Sequence, residues 1–319
     1  MRRFFANADY HFIEVRRKAY MASGTALAVF LVMALVWQFT RGSWLNYGVD
    51  FAGGTLVQVR FESETAEADL RSLVAPSFPG SEITRFGQEN EFLIRAPQEA
   101  GNEASSTADA FTALLTDRYG AGSFEVSRVE AVGAKVGSEL QARAALAILL
   151  SFAATLVYLA FRFEWRFGLA AVIATAHDIL LTLGLISALR LEVALPMVAA
   201  VLTIVGYSLN DTIIIFDRIR ENLKKPGRRA DFIGALNGSI NETLPRTILT
   251  VTTTLVTLLA LFLFGGAIIR DFALVMIVGI VLGTYSSVFV AAPALMEIER
   301  RWPAERKKGK VARPARVPA

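Results

Sequence analysis

Long apolar runs separated by short polar stretches dominate the pattern of hydrophobic positions. A helix needs about 20 apolar residues to cross the hydrocarbon core of a bilayer. Six runs have that length, at residues 19–39, 142–161, 167–189, 193–216, 247–269 and 272–296. The pattern therefore predicts a polytopic α-helical membrane protein with six transmembrane helices. The long basic lead before the first run, and the bulky residues after it, favour an uncleaved anchor over a signal peptide.

Residues 40–141, between the first two runs, have the pattern of a small α+β domain. Alternating apolar positions predict strands at "TLVQVRF", "SEITRFG", "EFLIRA" and "SFEVSRVEAVG". Helical spacing predicts helices at "TAEADLRSLVAPSF" and "SSTADAFTALLTDRYG". The resulting order β-α-β-β-α-β predicts a ferredoxin-like domain, with "PQEAGNEASS" as a flexible connector within it.

The distribution of basic residues predicts the orientation in the membrane. Lysine and arginine cluster in the tails at 1–18 and 297–319, in the loop after the second run, and in the loop at 217–245. The loops on the other side carry only Arg190 and Arg270. By the positive-inside rule both termini are cytoplasmic and the ferredoxin-like domain is external. That domain is acidic, since residues 41–141 contain 15 acidic and 8 basic residues.

Two basic segments invite further interpretation. Helical spacing of apolar residues in the loop at 217–245 predicts an interfacial helix on the inner leaflet, with a solvated connector as the alternative. The residues that carry it are Phe232, Ile233, Leu236, Ile240 and Leu244. The tail at 297–319 is expected to be disordered and attracted to anionic membrane lipid, with a contact to a ribosome or another partner as the alternative.

Composition excludes several classes of function. Hydrophobic residues make up 54% of the 319, mean hydropathy is +0.44, cysteine is absent and only two histidines occur. Disulfides and thiolate metal sites are therefore impossible, and a histidine-built metal site is disfavoured. There is no metal-ligand cluster, nucleophile–base pair or phosphate loop, so we expect neither an enzyme nor a cofactor, and no nucleic-acid partner.

Polar residues inside the apolar runs are the candidate functional residues. A carboxylate at the bilayer centre costs roughly 2.5–3.5 kcal/mol, so it persists only if it is paired, protonated or facing water. Asp211 lies near the cytoplasmic end of the fourth run, with Ser208, Asn210 and Arg218 nearby. Arg246 opens the fifth run from the same side. The alternative is that Asp211 only snorkels or caps a helix break.

Two further polar groups accompany this pair. Thr250, Thr253 and Thr257 follow Arg246 as a stripe that either faces the Asp211 helix or bonds to its own carbonyls. His177 and Asp178 lie near the middle of the third run, where a neighbour satisfying them structurally is an equal alternative. If an arginine approaches and leaves Asp211, the proton affinity of the carboxylate changes, so proton movement can be linked to helix movement.

Five segments resemble the SecF family, within the SecD/SecF group of the RND superfamily. They are "YGVDFAGGTLVQVRF", "VEAVGAKVGSEL", "VGYSLNDTIIIFDRIREN", "LPRTILT" and "DFALVMIVGIVLGTYSSVFVAAPAL". The resemblance implies an RND-like half that pairs with SecD, docks on the SecYEG translocon, often with YajC, and uses the proton-motive force to complete preprotein translocation across the bacterial inner membrane. In that family Asp211 matches the proton-pathway aspartate and Arg246 its arginine.

Other functions remain open at this level. An RND-type half can export lipids or small molecules, although such exporters usually carry two halves and larger external domains. A scaffold without ion flow would leave Asp211 unexplained. An oxygen-rich cleft at Asp211, Ser208 and Thr250 would suit either H⁺ or Na⁺ as the coupling ion.

Overall fold

The structure, a computed structural model, describes residues 8–85, 90–97, 104–225 and 231–303. Within these ranges six helices are long and apolar enough to cross a membrane. A small sheet domain lies between the first two of them. The predicted fold class, six spans with a ferredoxin-like domain, is confirmed. The basic C-terminal tail and the "KKPGRR" break lie largely outside the described residues.

The chain enters the bundle through a short turn and a long helix. A 3₁₀ turn (Ile13–Val15) leads into α1 (Arg16–Arg41), which ends at Gly42 in the left-handed conformation. A two-residue strand β1 (Asn46–Tyr47) and a single-turn helix α2 (Val49–Ala52) then lead to the sheet. These two short elements form the joint between the bundle and the small domain.

The small domain follows the predicted order of elements. It comprises β2 (Gly54–Phe61), α3 (Glu67–Val74), β3 (Glu82–Arg85), β4 (Glu91–Ala96), α4 (Ala104–Tyr119) and β5 (Phe124–Val132). The strands are antiparallel in the order β3-β4-β2-β5, which is the ferredoxin-like arrangement. Both helices pack on one face, over a core that includes Val57, Phe92 and Phe111. The alternation read from the sequence therefore places the apolar side chains on this face.

The remaining elements complete the bundle. They are α5 (Ala134–Arg162), α6 (Trp165–Ala188), the two-residue strand β6 (Glu192–Val193), α7 (Leu195–Asn222), α8 (Phe232–Phe264), α9 (Ala267–Ser286), a π-helical turn (Ser287–Ala291) and α10 (Ala292–Arg301). The centre of the bundle is formed by α6, α7 and the continuous stretch of α9, the π-helical turn and α10, and about half of each apolar stretch is buried. Helices α1, α5 and α8 lie at the periphery, with about a tenth or less of their apolar stretch buried within the chain.

Two predicted boundaries of the fifth span were wrong. The interfacial helix and the fifth span are one continuous helix, α8, which passes through Pro245. Two of the apolar residues assigned to the leaflet, Leu236 and Ile240, are instead buried in the protein core. At the other end α8 stops at Phe264 rather than at residue 269, because Gly265 and Gly266 leave the helical conformation before α9 begins.

The small domain is fixed to the bundle at the start of α7. Strand β1 pairs in parallel with β6, immediately before α7. The Leu195 amide at the start of α7 donates to the Asp50 carboxylate over 2.9 Å, and no side chain of α7 itself caps this end. On the sheet side, Arg95 donates to the Tyr47 carbonyl (2.9 Å) and to Glu192 (2.7 Å). Burial raises the pKa of the Glu192 carboxyl, and the Arg95 charge opposes that shift.

Candidate functional site in the helical bundle

Asp211 is buried at the contact between α7 and α8. One carboxylate oxygen accepts a hydrogen bond of 2.5 Å from the Thr247 hydroxyl on α8. The other oxygen is buried and has no hydrogen-bond partner among the described residues. A carboxylate held on one side and left open on the other retains the capacity to accept a proton or a further donor.

Arg246 lies beside this carboxylate along α8 but is not bonded to it. Its side chain is exposed, and no ion pair within 4.0 Å joins it to Asp211 or to any other described residue. The next residue, Thr247, takes the position against Asp211 instead. Within the described residues, therefore, no ion pair holds the Arg246 guanidinium in place.

Arg218 and Asn210, which the sequence groups with Asp211, lie elsewhere. Arg218 pairs with Glu242 on α8 and with Glu221 one turn along α7 (2.6 Å). The side chain of Asn210 is exposed. A spacing of seven residues brings Arg218 to the same side of α7 as Asp211. Its ion pairs with Glu221 and Glu242 hold the guanidinium away from the Asp211 carboxylate. Neither residue contributes to the Asp211 contact.

The threonine stripe of α8 faces outward from this chain. Thr250, Thr253 and Thr257 are exposed, and each hydroxyl donates to a carbonyl of the preceding turn. This is the self-satisfied alternative, so the stripe does not line a cleft with Asp211 inside the chain. It instead forms a line of polar side chains on the exposed side of an otherwise apolar helix.

His177 and Asp178 form a second buried polar cluster that joins four helices. Their side chains lie 2.9 Å apart, Nδ1 to Oδ1. The other Asp178 oxygen accepts from Ser208 of α7 (2.5 Å) and Ser286 of α9 (2.6 Å). The remaining His177 nitrogen lies 3.0 Å from the Ser23 hydroxyl of α1. Ser208 thus belongs to this cluster rather than to the Asp211 contact, although it is only one turn from Asp211 on α7.

Close helix packing makes the second cluster possible. A Cβ added at Gly283 of α9 would lie 2.9 Å from the Ser208 Cβ, and one at Gly279 would lie 2.2 Å from Ile204. The face of α9 that carries Gly279 and Gly283 therefore lies against α7. Only glycine at these positions lets the backbones approach so closely.

Sequence reasoning missed the partners that come from distant parts of the chain. Thr247 was assigned to the fifth span but not to the Asp211 contact. Ser23 and Tyr285, which approach His177 from α1 and α9, carry no local signal. No group of three or more histidine, aspartate or glutamate side chains suited to a metal ion occurs in the described ranges.

Comparisons with known proteins agree with this architecture. The model of the SecD/SecF C-terminal region of protein export membrane proteins matches residues 112–301, and that of the SecD/SecF GG motif matches residues 42–65. The chain is 49% identical over 311 residues to the protein translocase subunit SecF of Gemmatimonas aurantiaca, which covers 95% of this chain and 91% of that protein. The chain belongs to the SecF family.

Other SecF proteins and solved structures support the same assignment. The SecF of Desulfurispirillum indicum is 42% identical over 90% of this chain and 91% of its own length. The crystal structure of SecDF from Thermus thermophilus matches with a TM-score of 0.79 at 35% identity. The match covers 93% of this chain but 40% of the SecDF chain. This SecF-family chain is a multi-pass membrane protein, and its relatives are named as translocase subunits rather than enzymes.

Proposed function

We propose that this SecF-family chain works with SecD to drive a late stage of preprotein translocation through SecYEG, with the proton-motive force as its energy source. Asp211 is the proton-carrying group and Arg246 is the charge that changes its proton affinity. YajC is a further expected member of the assembly. The proposal places the chain in the bacterial inner membrane.

The observation that carries the proposal is the half-satisfied Asp211 carboxylate. A buried carboxylate without full hydrogen bonding is expensive, and such groups within membrane helices mark ion pathways. The Thr247 hydroxyl fixes one oxygen, while the other is available to a proton. The exposed Arg246 side chain, one residue from Thr247, can move towards the carboxylate when α8 or a partner moves.

The outward face of α8 supports a partner of similar architecture. The stripe of Thr250, Thr253 and Thr257 and the Arg246 side chain are exposed on a helix that otherwise presents apolar residues. Polar side chains on a membrane helix are favoured where another helix packs against them. The match to 40% of the SecDF chain is consistent with SecD as that partner.

The substitution Asp211→Asn tests the proposal, because it keeps the shape of the side chain and removes its charge. Proton-driven export by vesicles containing SecD and SecYEG should fall to the level of vesicles that lack this chain, at normal abundance. Arg246→Met should do the same. The matched control is Asp231→Asn, an exposed residue whose acceptor oxygen caps α8 and is retained in asparagine.

Two outcomes separate the alternatives. An Asp211→Asn protein that exports at the normal rate and abundance would overturn the proton role. Loss of protein together with loss of export would indicate a structural role, since breaking a buried polar contact destabilises the fold. Replacing the H⁺ gradient by a Na⁺ gradient identifies the ion, because retained activity would make Asp211 a sodium ligand instead.

A further inference from the structure

The buried cluster around His177 contains more hydrogen-bond contacts than its ordinary protons can supply. A continuous line of four contacts begins at the Asp178 oxygen and ends at a backbone carbonyl of α1. The four distances are 2.9 Å from Asp178 Oδ1 to His177 Nδ1, 3.0 Å from His177 Nε2 to Ser23 Oγ, 3.2 Å from Ser23 Oγ to Tyr285 OH, and 2.9 Å from Tyr285 OH to the Ala19 carbonyl.

Each of these contacts is a hydrogen bond only if one proton lies between its two atoms. The Ala19 carbonyl cannot donate, so the Tyr285 hydroxyl donates to it and accepts from Ser23. The Ser23 hydroxyl then accepts from Nε2 of His177. A neutral imidazole has no second proton for Nδ1, and an ionised Asp178 has none either. Serine, tyrosine and neutral histidine supply three protons for four contacts, so the line requires a fourth.

The charge balance of the cluster leads to the same conclusion. An ionised Asp178 beside a neutral His177 would leave one unpaired negative charge in the middle of the bundle. No lysine or arginine lies within 4.0 Å of this carboxylate among the described residues. One additional proton makes the pair neutral, either as imidazolium with carboxylate or as imidazole with carboxylic acid. Neutrality removes most of the cost of burying the pair in an apolar layer.

The groups facing the pair cannot replace that proton. Helix α1 presents Ser23, α7 presents Ser208, and α9 presents Tyr285 and Ser286. Two titratable groups lie near Ser208 along α7. The Tyr207 hydroxyl contacts Thr254 of α8, and the bonded oxygen of Asp211, one turn beyond Ser208, is turned to Thr247 of α8. Helices α5 and α10 place no described polar side chain within hydrogen-bond distance of either residue.

We propose that the His177–Asp178 pair is a proton-binding site in its own right, separate from Asp211, which holds one exchangeable proton. When the proton leaves, one of the four contacts has no proton between its two atoms, so two acceptors face each other and repel. The hydrogen bonds that hold α6 to α1 and α9 are then weaker. Ser208 carries the change to α7, about 5 Å along the helix from Asp211. A part for this site in export rests on the proposed function, but the proton itself does not.

Nitrogen NMR of the full chain in lipid nanodiscs tests the proposal without any export assay. The protein contains two histidines, and His11 is exposed, so ¹⁵N-histidine labelling gives one buried signal and one internal reference. At pH 7 we expect Nε2 of His177 to be protonated. We also expect either a protonated Nδ1 or an infrared carboxylic-acid band that disappears in Asp178→Asn. A neutral His177 without such a band would overturn the proposal.

The substitution Tyr285→Phe tests the counting argument, because it deletes one hydroxyl and preserves the ring. Ser23 is then free to donate to His177 Nε2, and the imidazole proton can move to Nδ1 and Asp178. Two protons now satisfy two contacts, so charge balance alone holds the additional proton. In spectra recorded over a range of pH, the His177–Asp178 pair should therefore release it at a lower pH than in the unaltered protein. The control is Tyr207→Phe, whose hydroxyl contacts Thr254 in another part of the bundle. Release of the proton at the same pH in Tyr285→Phe and in the unaltered protein would contradict the counting.

Discussion

Two carboxylates are buried among the described residues of the helical bundle, and they differ in how fully they are bonded. Asp178 accepts from two serines and shares a contact with His177. Asp211 accepts from Thr247 alone and keeps one oxygen unbonded. A fully bonded carboxylate fixes the helices around it, while a half-bonded one can change partners at low cost. The same residue type therefore has two different hydrogen-bonding environments, and Ser208, which bonds Asp178, lies one helical turn from Asp211 on α7.

The contact between Gly283 and Ser208 is expected to be intolerant of any side chain. Gly283→Ala should lower the free energy of unfolding by about 1–3 kcal/mol, because the new methyl group would overlap Ser208. Gly206→Ala on α7 is the control, since a Cβ there meets nothing within 4 Å. It should stabilise the helix by about 1 kcal/mol. Denaturant titration in detergent compares the two, and equal effects would contradict the close packing.

Glu192 should make the docking of the small domain depend on pH. Burial raises its pKa, so the docked state keeps a proton that the opened state has lost. The free energy of opening is therefore highest below the ordinary pKa of glutamate and falls as pH rises through the raised value. Hydrogen exchange of the Gly48 amide, which donates to the Val193 carbonyl, reports the opening after correction for intrinsic exchange.

Glu192→Gln provides the comparison for this pH dependence. Glutamine keeps a similar shape and an oxygen for Arg95 but does not titrate. The protection of Gly48 in this variant should stay level from about pH 4 to pH 8, a range that includes the ordinary glutamate pKa. The same slope in both proteins would show that another group is responsible.

At the residue level, the sequence singled out side chains whose burial cost is visible locally and missed the partners that lie far away along the chain. Asp211 and His177–Asp178 were identified because charged groups inside apolar runs demand an explanation. Thr247 was overlooked because the stripe was counted from Arg246 at intervals that skip the adjacent position. Ser23 lies 154 residues from His177, and no sequence pattern reports such a contact.

At the scale of elements, α7 connects the joint of the small domain to Asp211. Asp50 bonds its first turn, and Asp211 lies 16 residues beyond Leu195, which is about 24 Å along a helix. If α7 moves as one rigid helix, a displacement of its first turn also displaces Asp211. If the proposed function is correct, α7 is the element that links proton binding to the small domain.

Asp50→Ala should weaken that link. Loss of the bond to the Leu195 amide removes a cap, which costs about 0.5–2 kcal/mol. Hydrogen exchange at the start of α7 should rise, while the environment of Asp211 stays unchanged. Asp50→Asn retains an acceptor oxygen and should have a smaller effect. Unchanged exchange of the Leu195 amide in Asp50→Ala would contradict the capping role.

The length of α8 shows where an element boundary could not be predicted. The sequence predicts a loop that ends at residue 245 and a span that begins at 247, and Pro245 lacks the amide that an interior helical residue donates. The preceding turns are held by the N-terminal segment instead: Asn237 accepts from the Ile13 amide and Asn241 from the Tyr10 amide. These contacts keep the helix continuous through the proline, and they involve residues more than 220 positions apart.

At the scale of the whole molecule, orientation in the membrane remains a prediction that single cysteines can test. The chain has no cysteine of its own, so an introduced thiol is unique. Ser63→Cys, in an exposed turn of the small domain, should react with an impermeant reagent on intact spheroplasts. Lys224→Cys, in the exposed turn after α7, should react only after the membrane is opened. The reverse pattern would contradict external placement of the domain.

The pairing of β1 with β6 also sets an order of events during synthesis of the protein. The Asn46 side chain bonds the Arg190 carbonyl, and 144 positions separate the two residues along the chain. At about 5–20 residues per second, the ribosome needs roughly 7–30 s to produce the second after the first. The small domain, complete in sequence by β5, can fold during that interval while its docking strand does not yet exist. The β1–β6 pairing therefore forms only after the small domain has been synthesised, so the domain cannot dock on the start of α7 before that point.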